Sequence, residues 1–262
     1  IMEFIRAFLL AAQETQSPMI LGVSGSTAKY MGGYRSIVGM VKPFIDHLAI
    51  TVPVALHADH GNFAQVLDAI DAGFSSVMFD GSSLPFEENL HKSEQLVEIC
   101  RKKGISLECE VNGIGGEEDG VVTVGGTADP EQCRRLGLIG INMLAAGIGN
   151  IHGKCPADWP GLHFDLLEEI ARITDYTPLV LHGGSQIPAN MLRRAIALGI
   201  SKINVNTECQ MAFAAAVREY IEQGKDRIGT GYSLQTLLSP GVEAIQRVAM
   251  DKMMLFGSVG KA

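Results

Sequence analysis

The chain has 262 residues, of which 47% are apolar and 19% charged, with a formal charge of -8 at neutral pH. That length and balance suit one globular domain, and α/β barrels commonly reach this size alone. No apolar run approaches the roughly 18–20 residues of a membrane span, and no Lys/Arg cluster offers the basic face that nucleic acid requires, so neither is expected as a partner.

The opening stretch, IMEFIRAFLLAAQE, carries Ile5, Leu9 and Ala12 at helical spacing and lacks a basic-then-apolar leader, so the chain is expected to open on a helix. Seven apolar, β-branched runs follow in order: MILGVS, VPVALHAD, SSVMFD, ISLECEV, INMLAAGIG, PLVLHGG and SKINVN. Each leads through a polar or glycine-rich turn toward a helical pattern such as FAQVLDAIDAG, NLHKSEQLVEICRKKG or ANMLRRAIALG. Strand starts lie roughly 23 to 37 residues apart, the length of a strand plus a crossover helix, so the sheet should be parallel. The stretch EQGKDRIGTGYSLQTLLSPG reads as a loop before a final helix, VEAIQRVAMDKMMLFG. The five cysteines (Cys100, Cys109, Cys133, Cys155, Cys209) have no CxxC spacing and suggest neither a disulfide framework nor a zinc ribbon, which fits a reducing cytoplasm.

Polar residues end nearly every strand rather than gathering at one switch point, which favours a TIM (β/α)8 barrel over a doubly wound sheet. The expected architecture is a single TIM-barrel catalytic domain over residues 1–262. Seven strands are visible where eight are needed, so the first strand is expected to be missing or the barrel incompletely closed.

The strand tips collect Ser24, Asp59 and His60, Asp80, Glu108 and Glu110, His152, His182, and Asn204 and Asn206. Three histidines from three strands match a catalytic zinc arrangement with one open position. His60, His152 and His182 each precede glycine at a strand end, whereas His47, His91 and His163 read as ordinary surface residues. His57 shares a strand face with Asp59 but lies deeper, where core packing is an equal reading. Glu108 and Glu110 share a face and are spare carboxylates. GIGGEEDG reads either as a solvated acidic turn, with a hairpin at Asp119-Gly120, or as a flap carrying a base. HGGSQIP and NVNTECQ look built for phosphate: Pro188 stands at a first helical position, Thr207 reads as an N-cap with Gln210 three residues on, and helix N-termini attract anions.

These stretches, with SVMFDGSSLPFEENL, IGGEEDG, LAAGIGNIHGK, PLVLHGGS and KINVNTECQMAF, resemble the class II, metal-dependent ketose-bisphosphate aldolases, most closely the bacterial fructose-1,6-bisphosphate group, from Met2 to the closing LFGSVGKA. The resemblance implies zinc on His60, His152 and His182, with Glu110 and Asp80 near an alternative metal position. It implies Asp59 as acid/base at the substrate's C4 oxygen and Glu118 as the base acting on the dihydroxyacetone phosphate carbon. Gly153, Gly183, Ser185, Asn204, Asn206 and Thr207 would hold that half's phosphate, with a sodium or potassium ion nearby, and Ser24 would meet the other phosphate. A homodimer or homotetramer is implied as well. The sequence departs from the family pattern at Ala58, Ser83, Asn112, Gly113 and Gln186, and it lacks the arginine segment before SLQTLL, for which Arg227 could substitute. Tagatose 1,6-bisphosphate is the nearest alternative substrate. A barrel zinc hydrolase and a weakly active metal- and phosphate-binding homologue are the other readings. A Schiff-base aldolase would need a desolvated lysine, and Lys202 lies too deep to rank high.

Overall fold

The computed structural model describes residues 1–118, 121–123, 125–153, 156, 158–175 and 177–262, without the side chains of 117, 118 and 121–123. Ten strands are described: β1 (Met19–Ser24), β2 (Val54–Gly61), β3 (Ser76–Phe79), β4 (Ser106–Val111), β5 (Gly115–Glu118), β6 (Val121–Thr123), β7 (Met143–Ala146), β8 (Ile151–His152), β9 (Leu179–Leu181) and β10 (Ile200–Ile203). The helices are α1 (Met2–Thr15), α2 (Gly25–Tyr30), α3 (Tyr34–His47), α4 (Phe63–Ala72), α5 (Phe86–Lys103), α6 (Pro130–Leu138), α7 (Phe164–Ile173), α8 (Ala189–Ala197), α9 (Thr207–Glu222) and α10 (Leu234–Phe256).

All seven expected runs are strands of one parallel sheet, in the order β1-β2-β3-β4-β7-β9-β10. Helices alternate with them along the chain, so the fold is α/β of the TIM-barrel type. Among the described residues β1 and β10 are the two edges of this sheet. β5 pairs antiparallel with β6 and parallel with β8, a small second sheet. No described helix is long and apolar enough to cross a membrane.

By internal contact the chain forms two compact units. One comprises Ile1–Leu21, Gly39–Val54 and Asn206–Ala262; the other comprises Gly22–Val38 and Ala55–Val205. In the first, α1 buries Ile5, Ala7, Leu9, Ala11 and Ala12, which include the expected spacing. Ala11 and Ala12 meet Val52, Ala249 and Met253 in a shared apolar cluster. In the second, β3 is buried along its whole length, and Met78, Ala145 and Val180 pack together across the sheet. The tips of all seven strands belong to this unit. α4 begins directly beyond the tip of β2 with a complete capping box: Gln65 N–H donates to Asn62 Oδ1 at 3.0 Å and Asn62 N–H to Gln65 Oε1 at 2.9 Å. That cap stops the strand and fixes the backbone next to His60.

Two local expectations fail. The last helix starts at Leu234, not near Val242, and carries Pro240 inside it. Proline removes one intrahelical donor, yet the helix continues because α10 lies close against α9, where Gly241 meets the Phe213 ring. Thr207 is not the N-cap of α9. Asn206 holds that position, and its Oδ1 accepts from the Gln210 side chain at 3.0 Å, a side-chain contact four residues apart that leaves the expected capping box unformed.

A Cβ added at Gly241 would fall 2.4 to 2.9 Å from three atoms of the Phe213 ring. Helix propensity alone favours alanine over glycine by about 0.5–1 kcal/mol, whereas overpacking costs about 1–3 kcal/mol. Gly241→Ala is therefore expected to lower Tm by a few degrees in a thermal melt, at roughly 2–4 °C per kcal/mol for a chain of this size. A rise in Tm would mean that the two helices are not packed this closely.

Candidate metal centre and active site

The site is built at the tips of β2, β3, β4, β8, β9 and β10. Strict alternation would send Asp59 and His60 to opposite faces of β2. The register breaks there: from Ala58 to Gly61 is three steps on β2, against two from Val77 to Phe79 on β3, so β2 holds one extra residue. His60 sits in the bulge with φ at 49°, in the left-handed region that non-glycine residues seldom occupy and that histidine tolerates better than most. Both side chains thereby reach the same place.

Ligand atoms of His60, His152 and His182 all lie within 4.8 Å of one another, and the three rings meet edge to face with centroids 4.5 to 5.7 Å apart. Two glycines let these strands converge. At Gly183, with φ at 67°, a Cβ would fall 2.0 Å from the carbonyl oxygen of Ile151; at Gly116, with φ at 104°, it would fall 2.2 Å from that of His152. Gly183 thus has a packing role beside any contact with phosphate. Asn150, also buried, donates to the carbonyl of His182 at 3.0 Å and ties the β8 and β9 tips together.

Hydrogen bonds behind the rings set which nitrogen faces inward. Asp80 accepts from Ser82 N–H and hydroxyl at 3.0 and 2.7 Å through Oδ1, and its Oδ2 lies 3.0 Å from His60 Nδ1. A carboxylate only accepts, so His60 Nδ1 carries the proton and Nε2 the lone pair. Burial works against the charge on Asp80, but the contacts with His60 and Ser82 prevail and hold its carboxyl at about 2. On the other side His182 Nε2 meets Glu108 Oε1 at 2.8 Å, while Asn204 Nδ2 approaches His182 Nδ1 at 3.2 Å. On this ring, unlike His60, Nε2 is the donor and Nδ1 the acceptor. Burial and the neighbouring His60 lower the His182 pKa, which favours the neutral ring. His60 Nε2 and His182 Nδ1 then face each other at 2.9 Å, each presenting a lone pair.

That arrangement fits a cation. Two facing lone pairs and a third imidazole form a nitrogen donor set of the kind that binds zinc and similar divalent ions. A second group, His60, Asp80 and Glu110, also has ligand atoms within 4.8 Å of one another. Glu110 is buried, its Oε2 has no hydrogen-bond partner, and burial with the nearby Asp80 charge pushes its carboxyl well above the usual range. An orphaned buried oxygen of this type is a site that a cation satisfies.

Asp59 lies beside the histidines. Asn204 Nδ2 donates to both of its oxygens at 3.3 and 3.2 Å, and His57 Nε2 is 3.6 Å from Oδ1. Burial opposes its charge; the contact with His57 and the charges of His60, Lys202 and His182 overcome it and hold the carboxyl well below the ordinary value. Asn204 is fixed by its own backbone, which donates to Leu181 O and accepts from Gly184 N, each at 2.9 Å. Ser185, fully buried, follows in the same turn. Gln186 adopts φ of 64° where the family pattern has glycine, so the turn keeps its glycine-like shape with a side chain attached.

Ser24 caps α2, accepting from Thr27 N–H at 3.4 Å. Gly153 directly follows His152, with φ at 84°. Asn206 and Thr207 open α9 in the other compact unit. Glu118 ends β5 opposite Val121; its side chain and the turn at Asp119-Gly120 lie outside the described residues. The antiparallel β5–β6 pairing brackets the expected hairpin, and β5 is anchored beside His152 through Gly116. Sequence reasoning placed Glu108 among spare ligands, but it is a partner of His182. Lys202, only 8% exposed, donates to Glu108 Oε2 at 2.8 Å and is no free amine.

The family model of class II fructose-bisphosphate aldolase matches residues 1–261. The chain belongs to the class II fructose-bisphosphate aldolase family. A fructose-bisphosphate aldolase of Mycoplasma pneumoniae is 50% identical, covering 99% of this chain and 91% of its own length, and one of Streptococcus pyogenes is 43% identical over 100% and 91%. In three dimensions the YdjI aldolase of Escherichia coli superposes with a TM-score of 0.81 at 30% identity, over 99% of this chain and 89% of its own. Class II aldolases are the metal-dependent ones, in agreement with the donor set.

Because a folded site binds metal and an unfolded chain lacks it, zinc at about 100 times its Kd should raise the unfolding free energy by about 2.7 kcal/mol. His60→Ala, His152→Ala and His182→Ala should each remove that increment in a thermal melt with and without zinc. Full retention in any one of them would take that histidine out of the metal centre.

Proposed function

We propose that this chain is a zinc-dependent aldolase that reversibly cleaves fructose 1,6-bisphosphate to dihydroxyacetone phosphate and glyceraldehyde 3-phosphate, working as a single TIM-barrel catalytic domain over residues 1–262. The observation that carries the reading is Asp59: an acceptor carboxylate held by Asn204 beside three converging histidines, in a chain of this family.

His60, His152 and His182 hold the zinc, with Asp80 and Glu110 at an alternative position. The bound metal supplies a Lewis acid that stabilises the negative charge developing on the substrate's carbonyl oxygen. Asp59 takes the proton from the C4 hydroxyl as the C3–C4 bond breaks, and the C4 half leaves as an aldehyde. The electron pair of that bond stays on C3 as an enediolate, and Glu118 returns a proton to that carbon. Asn204 keeps Asp59 aimed through N–H contacts to both carboxylate oxygens. Gly153, Gly183, Ser185 and Asn204 bind the phosphate on the dihydroxyacetone side, with a sodium or potassium ion nearby, and Ser24 binds the other.

The reading extends to a cytoplasmic homodimer or homotetramer. Exposed apolar side chains at Ile221, Ile228, Tyr232 and Leu234 offer surface that subunit contact would cover.

Asp59→Ala should lower cleavage by roughly 100- to 10,000-fold, the usual worth of a positioned proton-transfer group, and leave zinc content unchanged. Exchange of the dihydroxyacetone phosphate C–H proton with solvent should persist in this variant and disappear in Glu118→Gln. Wild-type cleavage by Asp59→Ala, or exchange surviving in Glu118→Gln, would reassign the two carboxylates.

A further inference from the structure

Three buried residues, Lys202, Glu108 and His57, are joined behind the three-histidine cluster. Lys202 on β10 donates to Glu108 Oε2 at 2.8 Å, and Glu108 on β4 meets His182 Nε2 through Oε1 at 2.8 Å. His57 Nε2 lies 3.5 Å from the same Oε2, and its Nδ1 is 2.7 Å from Ser76 Oγ. Glu108 and His57 are fully buried, and Lys202 nearly so. A buried ion pair is poor value for stability, since well-packed apolar residues of equal volume serve as well or better. Its geometry therefore calls for another explanation.

We propose that the Lys202–Glu108 pair is a positioning unit of the metal centre: with Oε2 of Glu108 taken up by the Lys202 ammonium, Oε1 accepts from His182 Nε2, and so the pair fixes the tautomer whose Nδ1 faces His60. This rests on the three-histidine metal reading. Neither Lys202 nor Glu108 belongs to either group of candidate metal ligands among the described residues. Their effect passes through one proton: with it on Nε2, the His182 lone pair points at the centre; with it on Nδ1, the ligand atom is lost. Asn204 then finds an acceptor at Nδ1, as its 3.2 Å contact requires.

Glutamine at 108 separates this role from mere packing. A carboxamide has one accepting and one donating end. In the presence of the Lys202 ammonium its oxygen must turn to Lys202, which leaves its NH2 against His182 Nε2 and forces the proton onto Nδ1. When Lys202 is replaced by methionine, the carboxamide oxygen is free to accept from His182, and the tautomer returns. Glu108→Gln is thus harmful only while Lys202 is present.

The test is zinc affinity of the full chain, measured with zinc alone in competition with a chromophoric chelator, together with the 15N shifts of His182 in the metal-free protein. Glu108→Gln should weaken zinc binding by about 10- to 100-fold, the usual effect of losing a partner behind a ligand, and should move the His182 proton from Nε2 to Nδ1. The double variant Glu108→Gln/Lys202→Met should recover to within a few-fold of wild type. An affinity within twofold of wild type for Glu108→Gln, or a double variant no better than the single one, would overturn the proposal. Should Glu108→Gln fail to fold, the unaltered chain still decides: a proton on Nδ1 of its His182 overturns the proposal, and one on Nε2 upholds it. A wild-type chain that takes up no zinc would overturn the metal reading itself, and this one with it.

Discussion

His60 Nε2 and His182 Nδ1 stand 2.9 Å apart, and carboxylates behind the rings, Asp80 and Glu108, draw the ring protons away from the space between them. With both rings neutral, that space holds two acceptor nitrogens, a donor set that suits a cation. Much of the local structure serves this one approach. The β2 bulge and the left-handed backbone of His60 bring the first ring round; Gly183 lets β9, and Gly116 lets β5, close to within backbone contact of β8; Asn150 ties β8 to β9. Any one of these features alone is a local cost, and together they define a place where a divalent ion is the stable solution.

The same geometry explains how proton transfer and charge stabilisation can be adjacent without interfering. Asp59 directly precedes His60 in β2, and its oxygens accept from Asn204 with His57 3.6 Å from Oδ1, not from the ring of its neighbour His60. Asn204 also touches His182, so one amide spans the Asp59 carboxylate and a candidate metal ligand. This separation of tasks between neighbouring side chains is what a carbon–carbon cleavage needs, since the hydroxyl that loses its proton and the carbonyl that gathers charge sit on adjacent halves of one substrate.

Much of this was legible in the sequence, for physical reasons. Each of the seven strands is a short β-branched run between glycine or polar turns, and burial on both faces of a parallel sheet leaves that mark regardless of tertiary detail. The histidines were legible because each is followed by glycine at a strand end. What the sequence concealed depends on distance between residues far apart in the chain. Glu108 and Glu110 share a face and look equivalent, but one is saturated by Lys202 and His182 while the other keeps an orphaned oxygen. The bulge at Ala58 to Gly61 leaves no compositional trace, because His60 is not a residue that normally announces a left-handed backbone. The start of α10 was misread because Pro240 and Gly241 signal a break locally, whereas the close approach of Phe213 makes that glycine part of a helix contact.

The most direct test of the account is cleavage of fructose 1,6-bisphosphate by the purified chain before EDTA treatment, after it, and after zinc is added back, with tagatose 1,6-bisphosphate run in parallel. The account predicts cleavage of the fructose substrate that EDTA abolishes and zinc restores, with the tagatose substrate slower. Cleavage of the fructose substrate that survives complete removal of metal would contradict it, as would a folded, zinc-loaded chain that leaves the fructose substrate intact.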